Sequence, residues 1–334
     1  MEFRISEELF KRMIQTIPSI HLMYVLKQFG ISIPPEIPLE DRFNYIFTNV
    51  DEHTKRRMFE EYGATRAKTS IFLYRPGDAL FRNISEICEA VDSLELRKYL
   101  GNYYEPERLT RPTLQSVYID QNHSSLKLFF ISLGKTVKIV DREGRVRPYS
   151  QAIESVVTFW AENNLVDVRI QGGTGPARRI LDEARVILKI DSIPFTPVKF
   201  DNPFFIRNAL NWVDIVGYIT LEFRGVEIGK LSYSAPRKGR VPAEDLKKSR
   251  RVREDIEDAF KKGAIRLMNG YIKKKDTEVI SFAVNFRQGK IRMLAFSSET
   301  DHNFIFSNLV KFLEKEVPEL EAHKRRTLLD FTGS

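Results

Sequence analysis

The apolar residues of this chain recur every three to four positions up to about residue 100, and from Leu114 onward they alternate. That change of period divides the chain into a helical region and a region rich in strands. Ser6 is placed to cap a helix over Glu7–Thr16, whose Leu9, Phe10, Met13 and Ile14 share one face before Pro18 ends it. A second helix is expected from Ser19 to Gly30, a third from Pro38 to about Thr48, and a fourth from Asp51 to Gly63. Gly77–Val91 and Asp92–Leu100 supply two more, so the spacing predicts a bundle of five or six short helices.

Beyond an aperiodic segment at Gly101–Pro112, the strand pattern begins with Leu114–Asp120. Three units follow, each expected to be a strand pair leading into a helix. The first joins Leu126–Leu133 to Thr136–Val140 and a helix at Ser150–Asn163. The second joins Val213–Phe223 to Val226–Ser234, through Arg224-Gly225, and a helix within Ala243–Leu267. The third joins Glu278–Phe286 to Lys290–Phe296 and the helix His302–Glu316. Between the first two lie a strand, Val166–Ile170, and a helix, Ala177–Leu188. The expected fold class is α+β: an all-helical bundle followed by a twisted antiparallel sheet with helices on one face. The expected domains are 1–105, 106–235 and 236–334.

The formal charge of the whole chain is +8, and a single block, residues 237–275, with 14 basic and 6 acidic side chains, carries a net +8 by itself. Arg250, Arg251 and Arg253 lie at its centre. Such a block either opposes a phosphate backbone and releases its counterions or is simply a solvated, ion-paired helix surface. The one cysteine, Cys88, excludes an internal disulfide, and the five histidines are scattered, so neither a structural metal nor a cofactor is expected. No apolar stretch approaches the roughly 20 residues that span a bilayer, and the N-terminus has no signal-peptide apolar core, so a soluble, unexported protein without a membrane partner is expected.

The fragment most suggestive of an enzyme is Gly172-Gly173-Thr174-Gly175-Pro176-Ala177-Arg178-Arg179, where amides at a helix start would meet an anion. It lacks the closing Gly-Lys-Ser/Thr of a nucleotide loop, which leaves a DNA phosphate facing Arg178 or Arg179, or an ordinary turn. Asp214, Glu222, Glu227 and Lys230 only superficially resemble a nuclease set, because strand alternation puts Glu227 and Lys230 on opposite faces. No catalytic residues are assigned.

Several collinear stretches together resemble the centromere protein N family of the inner kinetochore. They are Glu8-Leu9-Phe10-Lys11-Arg12-Met13-Ile14 with Ile17-Pro18, Leu22 and Leu26-Lys27; the order of elements from Tyr149-Ser150 through Val166-Asp167-Val168-Arg169; and Arg251-Val252-Arg253-Glu254-Asp255-Ile256 with Leu267-Met268-Asn269-Gly270-Tyr271-Ile272. The resemblance implies a pyrin-like or death-like N-terminal domain and a non-enzymatic protein, nuclear and centromeric in a eukaryote, that binds double-stranded DNA or the nucleosome. A basic groove between helical and sheet domains would follow the DNA. Carried over by position, Lys11, Arg12 and Arg42 would contact DNA or histone, Glu8 would face a histone, and Arg145, Arg147, Arg169 and Arg178 would lie near the central groove. The C-terminal region would pair with a partner resembling centromere protein L. Thr16 stands where the family is basic, and Gly172–Arg179 replaces a shorter turn. Two other classes stand beside this one: a protein-interaction adaptor built on the nearly neutral helical region, and an unrecognised nucleic-acid enzyme.

Overall fold

The computed structural model describes residues 4–38, 41–64, 69–106, 109–140, 145–170, 174–223, 229–239, 241–274 and 279–314. The chain forms two compact units, 1–198 and 199–334, so the expected limits at 105 and 235 both fall inside a unit. No helix among the described residues is long and apolar enough to cross a membrane.

The first unit opens with α1 (Glu7–Thr16), α2 (Ser19–Gln28), α3 (Arg42–Asn49) and α4 (Glu52–Tyr62). The expected caps form: the Ser6 hydroxyl accepts from Leu9 N at 3.3 Å, and the Asp51 carboxylate accepts from Thr54 N at 2.9 Å. Phe10, Met13, Leu26 and Met58, each at most 1% exposed, fill the space between these helices. The bundle is then interrupted by a strand, β1 (Ser70–Pro76), followed by α5 (Ile84–Ser93) and a 3-10 turn at Leu96–Tyr99. Both departures from the expected helices, at Gly77–Val91 and Asp92–Leu100, have local causes. Asn83 caps α5 by accepting from Glu86 N at 3.1 Å, and Glu95 takes a left-handed φ of 55°.

The remaining elements of this unit are β2 (Thr113–Asp120), β3 (Ser125–Val140), β4 (Val146–Trp160), β5 (Leu165–Ile170), α6 (Thr174–Ile187) and β6 (Phe195–Pro197). The sheet order is β2-β3-β4-β5-β1, antiparallel between the pairs recorded, with β6 also on β1. The helix expected at Ser150–Asn163 is thus a strand, and Thr136–Val140 is the continuation of β3 rather than a separate strand. Ile153, Val156, Val157 and Thr158 favour extended backbone, and alternate residues of β4 enter two different cores. Val157 and Phe159 join Val117, Leu128, Val168, α5 and α6 on one face. On the other, the Phe59 ring of α4 packs 5.3 Å from Tyr118 and 5.7 Å from Phe129. Helices therefore cover both faces, which is why the strand reads as a continuous apolar run that helical periodicity also accommodates.

The second unit contains α7 (Pro203–Trp212), β7 (Ile215–Phe223), β8 (Lys230–Ser234), the short pair β9 (Arg237–Lys238) and β10 (Val241–Pro242), a 3-10 turn at Leu246–Lys248, α8 (Arg250–Lys262), β11 (Gly263–Lys273), β12 (Val279–Asn285), β13 (Lys290–Met293) and α9 (Glu299–Glu314). Its antiparallel sheet runs β13-β12-β11-β7-β8. Trp212 packs in tilted and edge-on contacts against Phe282, Phe304 and Phe312 at 5.7–5.9 Å, joining α7 and α9 to the sheet. The expected helix within Ala243–Leu267 stops at Lys262, and β11 starts directly at Gly263. A Cβ there would lie 2.0 Å from the Glu222 carbonyl oxygen, so only glycine permits this helix-to-strand joint.

Candidate nucleic-acid interface

The β3–β4 pair outruns its sheet. β2 last pairs with β3 at Thr113–Ile131, and β5 last pairs with β4 at Ile170–Ser155, yet β3 and β4 continue to pair from Ser132–Ile153 to Val140–Val146. Nine residues at about 3.3 Å each carry this two-stranded arm roughly 30 Å past its neighbours. A register shift between Leu133 and Thr136 marks the bulge where an arm of this kind bends. Leu133 is 53% exposed, and Lys138 and Arg145 are exposed. Arg147 lies opposite Ile139 in the ladder. The described residues 135–140 and 145–147 include the four basic residues Lys135, Lys138, Arg145 and Arg147 and no acidic one.

Two other cationic groups of the first unit bear on this surface, one on α6 and one on the bundle. β5 exits at Ile170, and α6 begins at Thr174 with Arg178 and Arg179 exposed in its second turn; Gly172 and Gly173 lie outside the described residues. From the bundle, the Arg12 guanidinium of α1 sits 5.0 Å over the Tyr103 ring and donates to Glu105 at 3.2 Å. The Tyr103 hydroxyl accepts from Gln115 Nε2 at 2.6 Å. Burial raises the Tyr103 pKa; Arg12 opposes the rise, and Glu105 and Glu154 at the base of the arm add to it. Tyr103 and Glu154 had no signal of their own in the sequence. Lys138 was detectable as part of an alternating run too long for a strand paired on both edges.

The residues singled out from the sequence thus separate into groups. Arg145 and Arg147 belong to the arm, whereas Arg178 and Arg179 are exposed on α6, where the Arg178 charge acts on Tyr74 of β1. Arg12 approaches the base of the arm but is already engaged, pairing also with Glu8 at 3.5 Å, so Glu8 is bound within its own helix. Lys11 is exposed, with its ammonium 5.8 Å from the Phe43 ring, and Arg42 donates to the Ile37 carbonyl at 3.4 Å.

Arg169 is a correction: it is 3% exposed, and its Nε donates to Asp167 at 2.9 Å, so it offers no charge to an external phosphate. It belongs to a buried polar face of the sheet. Asp167 also accepts from Trp160 Nε1 at 2.7 Å, and Lys127, 2% exposed, donates to Asp120 at 3.0 Å. Burial raises the Asp120 pKa, but the His123 hydrogen bond and the Lys127 and His123 charges outweigh it and hold the carboxyl down at about 2. Bundle and sheet meet at Phe59, Tyr118 and Phe129 in a packed aromatic core.

In the second unit Arg250, Arg251 and Arg253 are exposed in the first turns of α8, with Arg250 donating to Glu254 at 2.8 Å. Glu254, Asp255, Glu257 and Asp258 follow immediately, so the helix alternates blocks of charge. Lys248, Ser249 and Lys273 line a cavity of about 510 Å³ together with Asp214, Glu244 and Asp245. Asp214 accepts from Lys273 N at 2.7 Å, and Asp245 from Val216 N at 2.9 Å. These carboxylates hold backbone amides, and no group of three or more metal-ligating side chains exists among the described residues. Glu227 lies outside them. Comparison with protein-family models and with curated proteins finds no match to this chain.

Proposed function

We propose that this protein is a non-enzymatic nucleic-acid-binding protein whose first contact with duplex phosphate is the β3–β4 arm. The observation that carries the reading is the arm itself: two strands, paired only with each other beyond Ile131 and Ser155 among the described residues, with a cationic outer end. A two-stranded ribbon is narrow enough to enter the major groove or lie along the phosphates flanking it. Arg178 and Arg179 add exposed cations on α6 of the same unit, and Arg12 approaches the base of the arm from the bundle. The resemblance to the centromere protein N family, with its pyrin-like N-domain, makes nucleosomal DNA the natural duplex to test and a centromere protein L-like chain the natural partner for the second unit.

The test is a salt series of binding to a short duplex and to a reconstituted nucleosome. Wild-type affinity is expected to fall steeply with salt, with a log–log slope of about −0.9 per phosphate neutralised. Lys138→Glu/Arg145→Glu/Arg147→Glu is expected to lose at least about 100-fold at low salt. Affinity independent of salt would sink the proposal. Tight binding unchanged in the arm variant and lost in Arg250→Glu/Arg251→Glu/Arg253→Glu would move the contact to α8.

A further inference from the structure

Exposed apolar surface is concentrated on α2. Ile20, Met23 and Tyr24 are 76%, 52% and 49% exposed and make up three of the seven exposed large hydrophobic residues among those described. Their spacing puts them on one helix face. Val25 and Leu26, at 1% and 0%, hold the opposite face to the bundle, so packing of the fold does not account for the outward stripe. Lys27 prolongs it by one turn, and α2 contains no acidic residue. The face is apolar at its centre and cationic at its C-terminal margin.

We infer that α2 docks into an apolar groove, bordered by carboxylates, on a separate protein. Apolar anchors at i, i+3 and i+4 belong to the pattern by which a single helix fills such a groove, and the acidic border answers Lys27 at i+7. A second copy of this chain fits less well. Two faces of eight residues, each about 12 Å long, bury far less than the roughly 800 Å² per partner of a standard interface, and neither α2 offers a carboxylate to the other. A groove that wraps the helix covers more of it and supplies the missing charge. The inference develops the protein-interaction reading of the helical region and stands whether or not the arm binds nucleic acid.

The experiment places a photo-crosslinking benzoylphenylalanine at Met23 of the full chain, in cells of the organism that encodes it, and identifies the adduct by mass spectrometry. The identified protein is then purified and titrated against wild-type chain and against Ile20→Glu/Met23→Glu. The expected result is an adduct on an acid-bordered apolar groove, with Kd on the order of 1 µM. The double variant weakens binding at least about tenfold, and Lys27→Glu weakens it by a smaller factor that shrinks as salt is raised. Both double-variant positions are exposed, so its melting temperature and its duplex affinity should match wild type, which separates lost docking from lost folding. An adduct only with a second copy accompanied by dimer in sedimentation, an adduct only with lipid, no adduct, or affinity unmoved by Ile20→Glu/Met23→Glu would each overturn the inference.

Discussion

From Ser125 to Ile131, β3 is paired on both edges and covered on both faces, whereas from Ser132 to Val140 it is paired with β4 alone. Each stretch carries lysine, with opposite outcomes. Lys127 is enclosed and has to find Asp120, because an unpaired ammonium between two cores would cost several kcal/mol. Lys138 stays in water, where its charge costs little and remains open to an external anion. Arg169 repeats the enclosed case on β5, where its Nε donates to Asp167. Layer coverage, rather than residue type, decides whether a cation of this sheet is spent internally or presented outward.

The largest effect is expected on the enclosed side of this contrast. Asp120→Asn removes the carboxylate to which buried Lys127 donates and should cost about 3–5 kcal/mol in chemical denaturation; a loss below about 1 kcal/mol would remove the distinction between base and arm. On the arm, Lys138→Ala/Arg145→Ala/Arg147→Ala should reduce the salt slope of duplex binding by roughly 2–3 while changing unfolding free energy by no more than about 0.5 kcal/mol. A destabilisation equal to that of Asp120→Asn would mean that the arm is a structural element instead.

Acid sharpens the same comparison. The folded Asp120 carboxyl sits at about 2 against an ordinary value of 3.8. Its contribution is therefore complete above the ordinary value and disappears as pH falls through about 2, amounting to about 2 kcal/mol. Asp120→Asn should remove that part of the acid limb in a pH series of denaturation midpoints, and the arm variant should retain it. The smallest effect is expected at α1. Arg12→Ala gives up partly exposed contacts with Glu8, Glu105 and Tyr103 and should cost about 1 kcal/mol or less, whereas Lys11→Ala should leave the melting temperature unmoved.

Local signals marked the elements that fold by local rules. Ser6, Pro18, Asp51 and Gly63 punctuate α1 and α4 where expected, because caps and helix breakers act within a few residues. β2, β5, β7 and β12 also emerged within a few residues of their places from alternation alone. β1 and β4 did not. Ile71-Phe72-Leu73-Tyr74 and Val156-Val157 bury successive residues in different cores, and periodicity cannot separate such a strand from a helix. β11 was hidden because α8 runs into it through Gly263 without a loop. For the candidate interface, positive charge at Arg145, Arg147, Arg178 and Arg179 was visible residue by residue. That β3 and β4 outrun β2 and β5 is a matter of long-range register.

The sequence by itself determined an α+β chain, the positions of its helix caps and turns, and a positive excess equal to that of one block, since all of these depend on neighbours along the chain. Tertiary structure alone decided that Arg169 is spent on Asp167, that Arg12 is held by Glu105, and that Ile20, Met23 and Tyr24 face outward. Whether a side chain is solvated, paired or enclosed depends on segments that folding brings over it from far along the chain, and those carry the desolvation cost that sorts charges between core and surface.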